Sequence, residues 1–171
     1  MKIVLVGYMG SGKSIVAKKL SERLKISFAD LDFLIEKEEN MPIKKIFDEK
    51  GELFFRKLEH KIFKEVLNQK EPIVISTGGG TPCYYDNYKL YDTKNCFSIY
   101  LKATIETLSK RLFIEKEKRP IIANFNREEL ENFIAPHLFE RSFYYNKSKL
   151  IITVDKKTVD EIVEDIFSKL T

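Results

Sequence analysis

A glycine-rich segment near the N-terminus has the composition of a phosphate-binding loop. Residues 7–14 read GYMGSGKS, which matches the pattern G-x-x-x-x-G-K-[ST]. In such a loop, backbone N–H groups and the N-terminus of the following helix bind phosphate oxygens. The lysine reaches the phosphates, and the serine hydroxyl can bind Mg²⁺. We therefore predict that nucleotide phosphates contact Gly10, Ser11, Gly12, Lys13, Ser14 and Ile15.

The distribution of glycine indicates a second backbone site. The 171 residues include only 7 glycines, where average usage would give roughly 12. Three lie in the loop just described, and three are consecutive, Gly78, Gly79 and Gly80, directly after an apolar run. Consecutive glycines are costly in conformational entropy, so a plain turn explains them poorly. We predict that the backbone at 78–80 approaches a ligand closely.

Two carboxylates and one arginine are candidates for binding the acceptor of the phosphate. Asp30 and Asp32 follow the second apolar run, and in an extended segment residues two apart point to the same side. One carboxylate could support Mg²⁺ through water while the other holds or deprotonates a hydroxyl. Alternatively, one of them only caps the next helix. Arg56 lies in a helix that Phe54 and Phe55 should bury. Its side chain could bind a carboxylate, or it could be an ordinary solvent-exposed arginine.

Apolar runs alternate with helical patterns along the chain. The patterns predict strands at 2–6, 26–29, 72–76, 96–101 and 150–154, and helices at 13–24, 42–50, 52–67, 104–113, 126–144 and 158–170, with a break at Gly51. Asn126 with Glu129, and Thr158 with Glu161, are typical of capping boxes. Strands separated by helices imply a parallel sheet with right-handed crossovers.

The expected fold is therefore α/β, with about five parallel strands flanked by helices in three layers. The chain should form one domain over 1–171, because no repeat or low-complexity linker divides it. Ligands in such sheets bind beyond the carboxyl ends of the strands. Both glycine clusters follow strands, so we expect them at the same edge of the sheet.

Composition restricts the class of protein. The chain is 43% hydrophobic and 33% charged, as in globular proteins. Its net charge of +4 comes from Lys and Arg interleaved with Asp and Glu, a pattern typical of solvated helix faces rather than of a nucleic-acid surface. The apolar runs are much shorter than the about twenty residues that cross a bilayer, and no signal peptide is recognisable. With only Cys83 and Cys96, we expect a cytoplasmic protein.

Other nucleotide-binding classes fit the sequence poorly. A GTPase would need N-K-x-D, but Asn146-Lys147 continues to Ser148-Lys149. A motor ATPase would need an apolar strand that ends in Asp-Glu, whereas residues 151–155 read IITVD and resemble an edge strand that runs into a turn. The remaining class is a small nucleotide-dependent kinase with its acceptor site in the same domain.

The motifs, taken in order, resemble those of shikimate kinases over residues 1 to about 155. They are GYMGSGKS, Asp30-x-Asp32, Phe55-Arg56-x-x-Glu59, the three glycines, Arg119-Pro120 and Glu140-Arg141-x-x-x-Tyr145. The resemblance implies a P-loop kinase fold like that of nucleoside-monophosphate kinases, with a mobile lid. It also implies transfer of the ATP γ-phosphate to the 3-hydroxyl of shikimate, which gives shikimate 3-phosphate and ADP in aromatic amino acid biosynthesis, with Mg²⁺ as cofactor.

The resemblance also assigns residues to the acceptor. It implies that Asp32 holds the shikimate hydroxyls and that Arg56 and Arg141 bind the carboxylate. Backbone contacts would come from 78–80, Gly79 in particular, and the helices at about 32–69 would surround the acceptor. The proton from the hydroxyl could pass to Asp32 or to the phosphate itself.

On the nucleotide side, the resemblance implies that Asp30 and Ser14 support Mg²⁺ and that Arg119 is a lid arginine that reaches ATP. Lys13, Asp30, Asp32 and Arg119 would then be the catalytic residues. A basic lid at about 112–124 would exclude water and so prevent hydrolysis of ATP. We expect Arg111 to contact the nucleotide as well, and we expect the other cations of this region to be solvated, namely Lys110, Lys116 and Lys118.

Several features remain open. Lys156-Lys157 stand where shikimate kinases often carry an arginine near the adenine, so that contact is in doubt. The segment 84–88 is rich in tyrosine and is expected to pack. His60 and His137 are expected to be surface or helix-packing residues rather than catalytic ones. A gluconate kinase or a nucleoside-monophosphate kinase is the alternative enzyme, and a regulatory module that has lost its chemistry is the alternative from another class. We expect the chain to act as a monomer.

Overall fold

The computed structural model describes residues 1–119 and 121–170. Pro120 of the Arg119-Pro120 motif lies outside the described residues, as do Thr171 and the side chain of Lys118. The described strands are β1 (Lys2–Val6), β2 (Ser27–Asp30), β3 (Ile73–Ser76), β4 (Cys96–Lys102) and β5 (Leu150–Thr153). They form one sheet in the order β2-β3-β1-β4-β5, with every pair parallel. The predicted parallel α/β sheet is confirmed.

The helices flank this sheet. They are α1 (Lys13–Leu24), α2 (Leu31–Glu39), α3 (Ile43–Asn68), α4 (Asn87–Leu90), α5 (Ile105–Glu115), α6 (Arg127–Tyr145) and α7 (Val159–Leu170), with short 3₁₀ turns at Thr81–Cys83 and Lys116–Lys118. Gly51 interrupts α3 with φ 82° and ψ 168°, at the predicted break. Both predicted capping boxes are present, at Asn126 and at Thr158.

The apolar runs form the centre of the sheet because parallel strands are covered on both faces. Residues Ile3, Val4, Leu5 and Val6 of β1 are fully buried, and all four residues of β3 are buried as well. Since β1 and β3 are parallel neighbours, their carboxyl ends meet at one edge. The phosphate-binding loop and the three glycines therefore lie side by side, as predicted.

The prediction of an extended segment at 30–32 was wrong. Strand β2 ends at Asp30 and helix α2 begins at Leu31, with Asp32 in its first turn. The Asp30 carboxylate accepts a hydrogen bond from the N–H of Phe33 at 3.2 Å. Aspartate is a strong N-cap residue, and this local bond starts the helix. Asp30 thus caps α2, although capping is not its only contact, because its other carboxylate oxygen bonds Ser14.

The expectation that Phe54 is buried was also wrong. Phe54 is 37% exposed, whereas its neighbour Phe55 is 4% exposed. The helix turns about 100° per residue, so Phe54 lies at the edge of the buried face of α3 while Phe55 points into the core. Among the described residues, no helix combines the length and the apolar character that crossing a bilayer requires.

Candidate active site

The loop after β1 leaves the N-terminus of α1 open to an anion. Gly12 occupies the N-cap position with φ 94°, and no side chain caps the helix there. A positive φ suits glycine, and the uncapped N–H groups of the first turn carry the positive end of the helix dipole. The backbone of this loop is therefore arranged to bind phosphate.

Lys13 is held inside the loop. Its Nζ donates to the carbonyl oxygens of Gly7 at 2.8 Å and Tyr8 at 3.0 Å. Burial lowers the pKa of Lys13 to about 8, although the carboxylates of Asp32 and Asp30 oppose this effect. The ammonium group thus has carbonyl partners that a phosphate oxygen can replace, and a phosphate would restore its usual basicity.

Ser14 and Asp30 form a pair of oxygen donors at the start of α1. The Ser14 hydroxyl donates to Asp30 Oδ2 at 2.5 Å, and Ser76 Oγ lies 3.2 Å from Ser14 Oγ. Hydroxyl and carboxylate oxygens beside a phosphate site are the donors that Mg²⁺ takes, with water and phosphate completing its shell. The pair therefore fits Mg²⁺, and the same Asp30 carboxylate also caps α2.

Asp32 faces the main cleft, which has a volume of about 640 Å³. Burial raises the pKa of Asp32 to about 6, and the negative charge of Asp30 adds to this effect while Lys13 opposes it. A carboxylate with a raised pKa is a stronger base than an ordinary one. Asp32 shares the cleft with Gly78 and Gly79, so a hydroxyl in the cleft can reach both.

Arg56 is fixed in a compact polar cluster. Its Nη1 donates to Glu59 Oε1 at 2.9 Å, and the other oxygen of Glu59 accepts from the Thr81 hydroxyl at 2.7 Å. Glu59 is fully buried, and Arg56 is 9% exposed. A Cβ at Gly80 would lie 2.6 Å from Arg56 Nη2. Only glycine at this position allows the guanidinium to pack against the loop.

Arg141 lies on the other side of the same loop. A Cβ at Gly79 would lie 3.2 Å from Arg141 Nη1, so the guanidinium groups of Arg56 and Arg141 flank adjacent residues. The Tyr145 hydroxyl donates to the Gly79 carbonyl at 2.5 Å, which holds the loop in place. Two guanidinium groups beside one backbone segment are suited to binding a carboxylate.

The remaining cations of the lid region differ in their contacts. Arg111 Nη1 donates to the carbonyl oxygens of Gly10 at 3.2 Å and Ser11 at 3.3 Å. Arg119 lines the main cleft and lies 3.7 Å from a Glu115 carboxylate oxygen. Both arginines thus lie at the phosphate loop.

The lysines of the same region have other partners. Lys110 pairs with Glu106 on the surface, as expected, while Lys116 bonds the carbonyl of Phe125. Lys157, where an adenine contact was in doubt, lines the main cleft and bonds Asp165.

The structure brings most of the predicted residues into one cleft. Its lining includes every predicted nucleotide residue together with Asp32, Gly78 and Gly79; these nucleotide residues are Gly10, Ser11, Gly12, Lys13, Ser14, Ile15, Arg111 and Arg119. Asp30 lines a neighbouring groove beside Ser14, and Arg141 lines a second neighbouring cleft of about 460 Å³.

The contacts of several residues of the site were not predicted, although Glu59 and Tyr8 belong to the motifs named above. Glu59 follows Arg56 by three residues, a spacing that brings helix side chains together, and this could have identified the ion pair. No spacing of this kind in the sequence indicates the contacts made by Ser76, Tyr8 and Thr81. Tyr8 bonds His137 Nδ1 at 2.9 Å, a contact between the phosphate loop and α6. His137 thus packs against the phosphate loop, which is one of the two roles expected for it.

Comparison with known proteins agrees with this geometry. The model of the shikimate kinase family matches residues 9–171. Shikimate kinase from Flavobacterium johnsoniae is 53% identical over 169 residues, which is 99% of this chain and 98% of that protein.

Two solved structures are similar over the whole chain. The crystal structure of shikimate kinase from Bacteroides thetaiotaomicron has a TM-score of 0.92 at 34% identity and covers 99% of this chain and 98% of that one. Shikimate kinase from Acinetobacter baumannii, in complex with shikimate, has a TM-score of 0.85 at 26% identity, with 99% and 92% coverage. The chain therefore belongs to the shikimate kinase family and has the P-loop kinase fold of its members.

Proposed function

We propose that this chain transfers the γ-phosphoryl group of ATP to the 3-hydroxyl of shikimate, giving shikimate 3-phosphate and ADP. The observation that carries the proposal is the shared cleft, which Lys13 of the phosphate loop and Asp32 of α2 line together. The complex of the Acinetobacter baumannii relative with shikimate supports the identity of the acceptor. In aromatic amino acid biosynthesis, the product would be a precursor of chorismate.

The donor is proposed to bind with its phosphates on the loop amides and on Lys13. Ser14 and Asp30 would hold the Mg²⁺ ion of the nucleotide, which would neutralise negative charge on the phosphates during transfer. The two carbonyl contacts of Lys13 would then be exchanged for phosphate contacts. Phosphoryl transfer depends mainly on the position of the reacting groups and on stabilisation of their charge. Lys13 would therefore contribute by binding the phosphates in place of these two carbonyls.

The acceptor is proposed to bind with its carboxylate between Arg56 and Arg141 and its hydroxyls towards Asp32. The raised pKa of Asp32 supports a role as hydrogen-bond acceptor and general base for the attacking hydroxyl. Two guanidinium groups would distinguish a carboxylate from a neutral group, and they would set which hydroxyl faces the phosphate. Gly78, Gly79 and Gly80 would contribute backbone contacts.

The segment at about 112–124 is proposed to close over the nucleotide. Arg119, at the edge of the cleft, would then stabilise charge on the transferred phosphoryl group, and Arg111 would hold the phosphate loop through its carbonyl contacts. Closure would exclude water and protect ATP from hydrolysis.

We also propose that the chain works as a cytoplasmic monomer. One chain supplies the residues for both substrates, which supports a monomer. Free thiols at Cys83 and Cys96 agree with a reducing compartment.

The deciding experiment measures ADP release from Mg-ATP with shikimate, gluconate, AMP or no acceptor. We expect turnover with shikimate alone. Turnover with gluconate or AMP but not with shikimate would replace this proposal with one of the alternative kinases. Absence of turnover with every acceptor, in a chain that still binds ATP, would favour a regulatory module.

The pH dependence of kcat/KM for shikimate should be bell-shaped. Activity should rise as pH increases through about 6, because Asp32 must lose its proton to accept one. At ATP concentrations well below its KM, activity should also fall above about 8, because Lys13 without bound phosphate loses its charge there. In kcat, the upper limb should move to higher pH, since bound phosphate stabilises the lysine cation. A profile that is flat through pH 6 would remove Asp32 as the base.

The Arg56→Lys variant should lose about 10- to 100-fold in kcat/KM for shikimate, the loss expected for charged hydrogen bonds. Lysine keeps the charge but cannot bond a carboxylate with two parallel N–H groups. The KM for ATP should stay within about 2-fold of the wild-type value. Lys57→Arg, a change at the next residue, is the control, since Lys57 is exposed. An equal loss of ATP affinity would assign Arg56 to the nucleotide site or to the fold.

A further inference from the structure

The ring of Tyr84 lies against the guanidinium group of Arg56. The centre of the ring is 4.1 Å from Arg56 Cζ, closer than the ring of Phe55 at 5.1 Å. An arginine at this distance from an aromatic face is attracted to it, and the attraction increases where water is excluded. Arg56 is 9% exposed, so its guanidinium group is largely shielded from water.

Tyr84 is itself held by a second contact. Its hydroxyl donates to Glu52 Oε1 at 3.2 Å, and the same carboxylate oxygen lies 3.7 Å from Arg56 Nε. Burial raises the pKa of Tyr84, so the hydroxyl stays protonated and can donate at neutral pH. Glu52, Tyr84 and Arg56 therefore form a closed triangle in which the tyrosine cannot move without losing one contact.

The backbone around Tyr84 is fixed by an arch over residues 81–87. The Tyr84 carbonyl accepts from the N–H of Asn87 at 3.0 Å, and the buried Asn87 side chain donates to the Thr81 carbonyl at 2.9 Å. Tyr85 and Asp86 have φ values of 51° and 55°. Such values are uncommon for residues other than glycine and persist only where the surroundings impose them. The hydrogen bonds of the arch thus stabilise an unfavourable backbone conformation directly after Tyr84.

Tyr84 is also near the second arginine of the proposed acceptor site. It contacts Arg56 on one side, and together with Arg141 it lines the neighbouring cleft of about 460 Å³. The partners of the Arg56 side chain comprise the carboxylates of Glu59 and Glu52. These carboxylates compete with a ligand for the same cation, whereas the ring of Tyr84 holds the guanidinium without occupying an N–H group.

We propose that Tyr84 is a positioning residue of the acceptor site, whose ring holds the Arg56 guanidinium in place for the carboxylate of the acceptor. This inference rests on the proposed function and specifies which feature of the acceptor it recognises. Tyr84 acts through Arg56 and does not take part in phosphoryl transfer. Its removal should therefore change acceptor affinity and leave the chemical step unchanged.

The test compares Tyr84→Leu, Tyr84→Phe and Tyr85→Leu in steady-state kinetics. Tyr84→Leu should raise the KM for shikimate about 5- to 30-fold, within the range of an aromatic–guanidinium contact, with kcat and the KM for ATP within about 2-fold of wild type. Tyr84→Phe keeps the ring and should restore most of the affinity. Tyr85 is the matched control, because it lies in the same arch but packs on His60 and is 44% exposed.

A second measurement separates positioning from a general structural effect. The methyl ester of shikimate has no carboxylate, so the preference of the enzyme for shikimate over this ester should fall in Tyr84→Leu by the same factor as the affinity. If Tyr84→Leu does not fold, Tyr84→Gln provides the non-aromatic replacement, and ADP binding checks that either variant retains its nucleotide site.

Each outcome has a distinct meaning. No turnover of shikimate by the wild type overturns the proposed function and this inference with it. Wild-type turnover with a KM in Tyr84→Leu no higher than in Tyr85→Leu overturns the inference alone. A parallel loss of kcat and ATP affinity, or a loss in Tyr84→Phe equal to that in Tyr84→Leu, also overturns it.

Discussion

The Asp32→Asn variant should be more stable than the wild type and nearly inactive. We expect kcat with shikimate to fall about 10²- to 10⁴-fold, the usual contribution of a positioned acid or base. An amide has nearly the shape of the carboxylate but cannot accept the hydroxyl proton. Asp160→Asn, at a surface position with 78% side-chain exposure, should leave kcat unchanged. A fall in kcat of less than about 10-fold would assign proton transfer to the phosphate.

The gain in stability follows from the raised pKa of Asp32, about 6 in the folded chain against the usual 3.8. Above pH 6 the folded state must bury an ionised carboxylate, and this lowers the free energy of unfolding. Asparagine removes this cost, so Tm at pH 7.5 should rise by about 2–8 °C. The difference should shrink as pH falls from about 6 towards 4, because the folded state then binds a proton at Asp32 and no longer buries a charge. A lower Tm for the variant at pH 7.5 would contradict this account.

The Glu59→Ala variant should lose about 3–5 kcal/mol of unfolding free energy, the usual cost of removing one partner of a buried ion pair. Arg56 would remain buried without its closest carboxylate, and the Thr81 hydroxyl would lose its acceptor. For a chain of this size, Tm should fall by about 6–20 °C. Turnover of shikimate should fall as well, since Arg56 would no longer be fixed.

Glu65→Ala is the control for this prediction because it lies on the same helix. Its carboxylate pairs with Lys61 at 3.9 Å, and both side chains are more than half exposed. Exposed pairs contribute at most about 1 kcal/mol, so Tm should change by at most a few degrees. Equal losses in the two variants would mean that the Arg56–Glu59 pair contributes no more to stability than a surface pair.

Several helix boundaries could be predicted because residues close together in the sequence determine them. The observed bounds of α1 equal the predicted ones, since the loop before it and the apolar spacing inside it are both local signals. The capping boxes at Asn126 and Thr158 were predictable for the same reason. The break at Gly51 required only that glycine tolerates positive φ.

The acceptor site was less predictable because its contacts join distant parts of the chain. Asp30 illustrates the limit: the sequence allowed a ligand for Mg²⁺ or a helix cap, and the structure shows that one carboxylate both caps α2 and bonds Ser14. The contact of Gly80 with Arg56 depends on the packing of α3 against the loop after β3. The contact of the Tyr84 ring with Arg56 joins residues that are far apart in the sequence, so no role beyond packing could be predicted for the tyrosine-rich segment.

The position of β1 has a consequence for the order in which the molecule can assemble. Its two neighbours in the sheet are β3 and β4, which the ribosome makes about 70 and 95 residues later, as their positions at Ile73 and Cys96 indicate. Parallel strands cannot pair until the intervening crossover is complete, and such long-range pairing is slow. The phosphate loop is therefore synthesised early but becomes rigid late, when more than half of the chain has emerged.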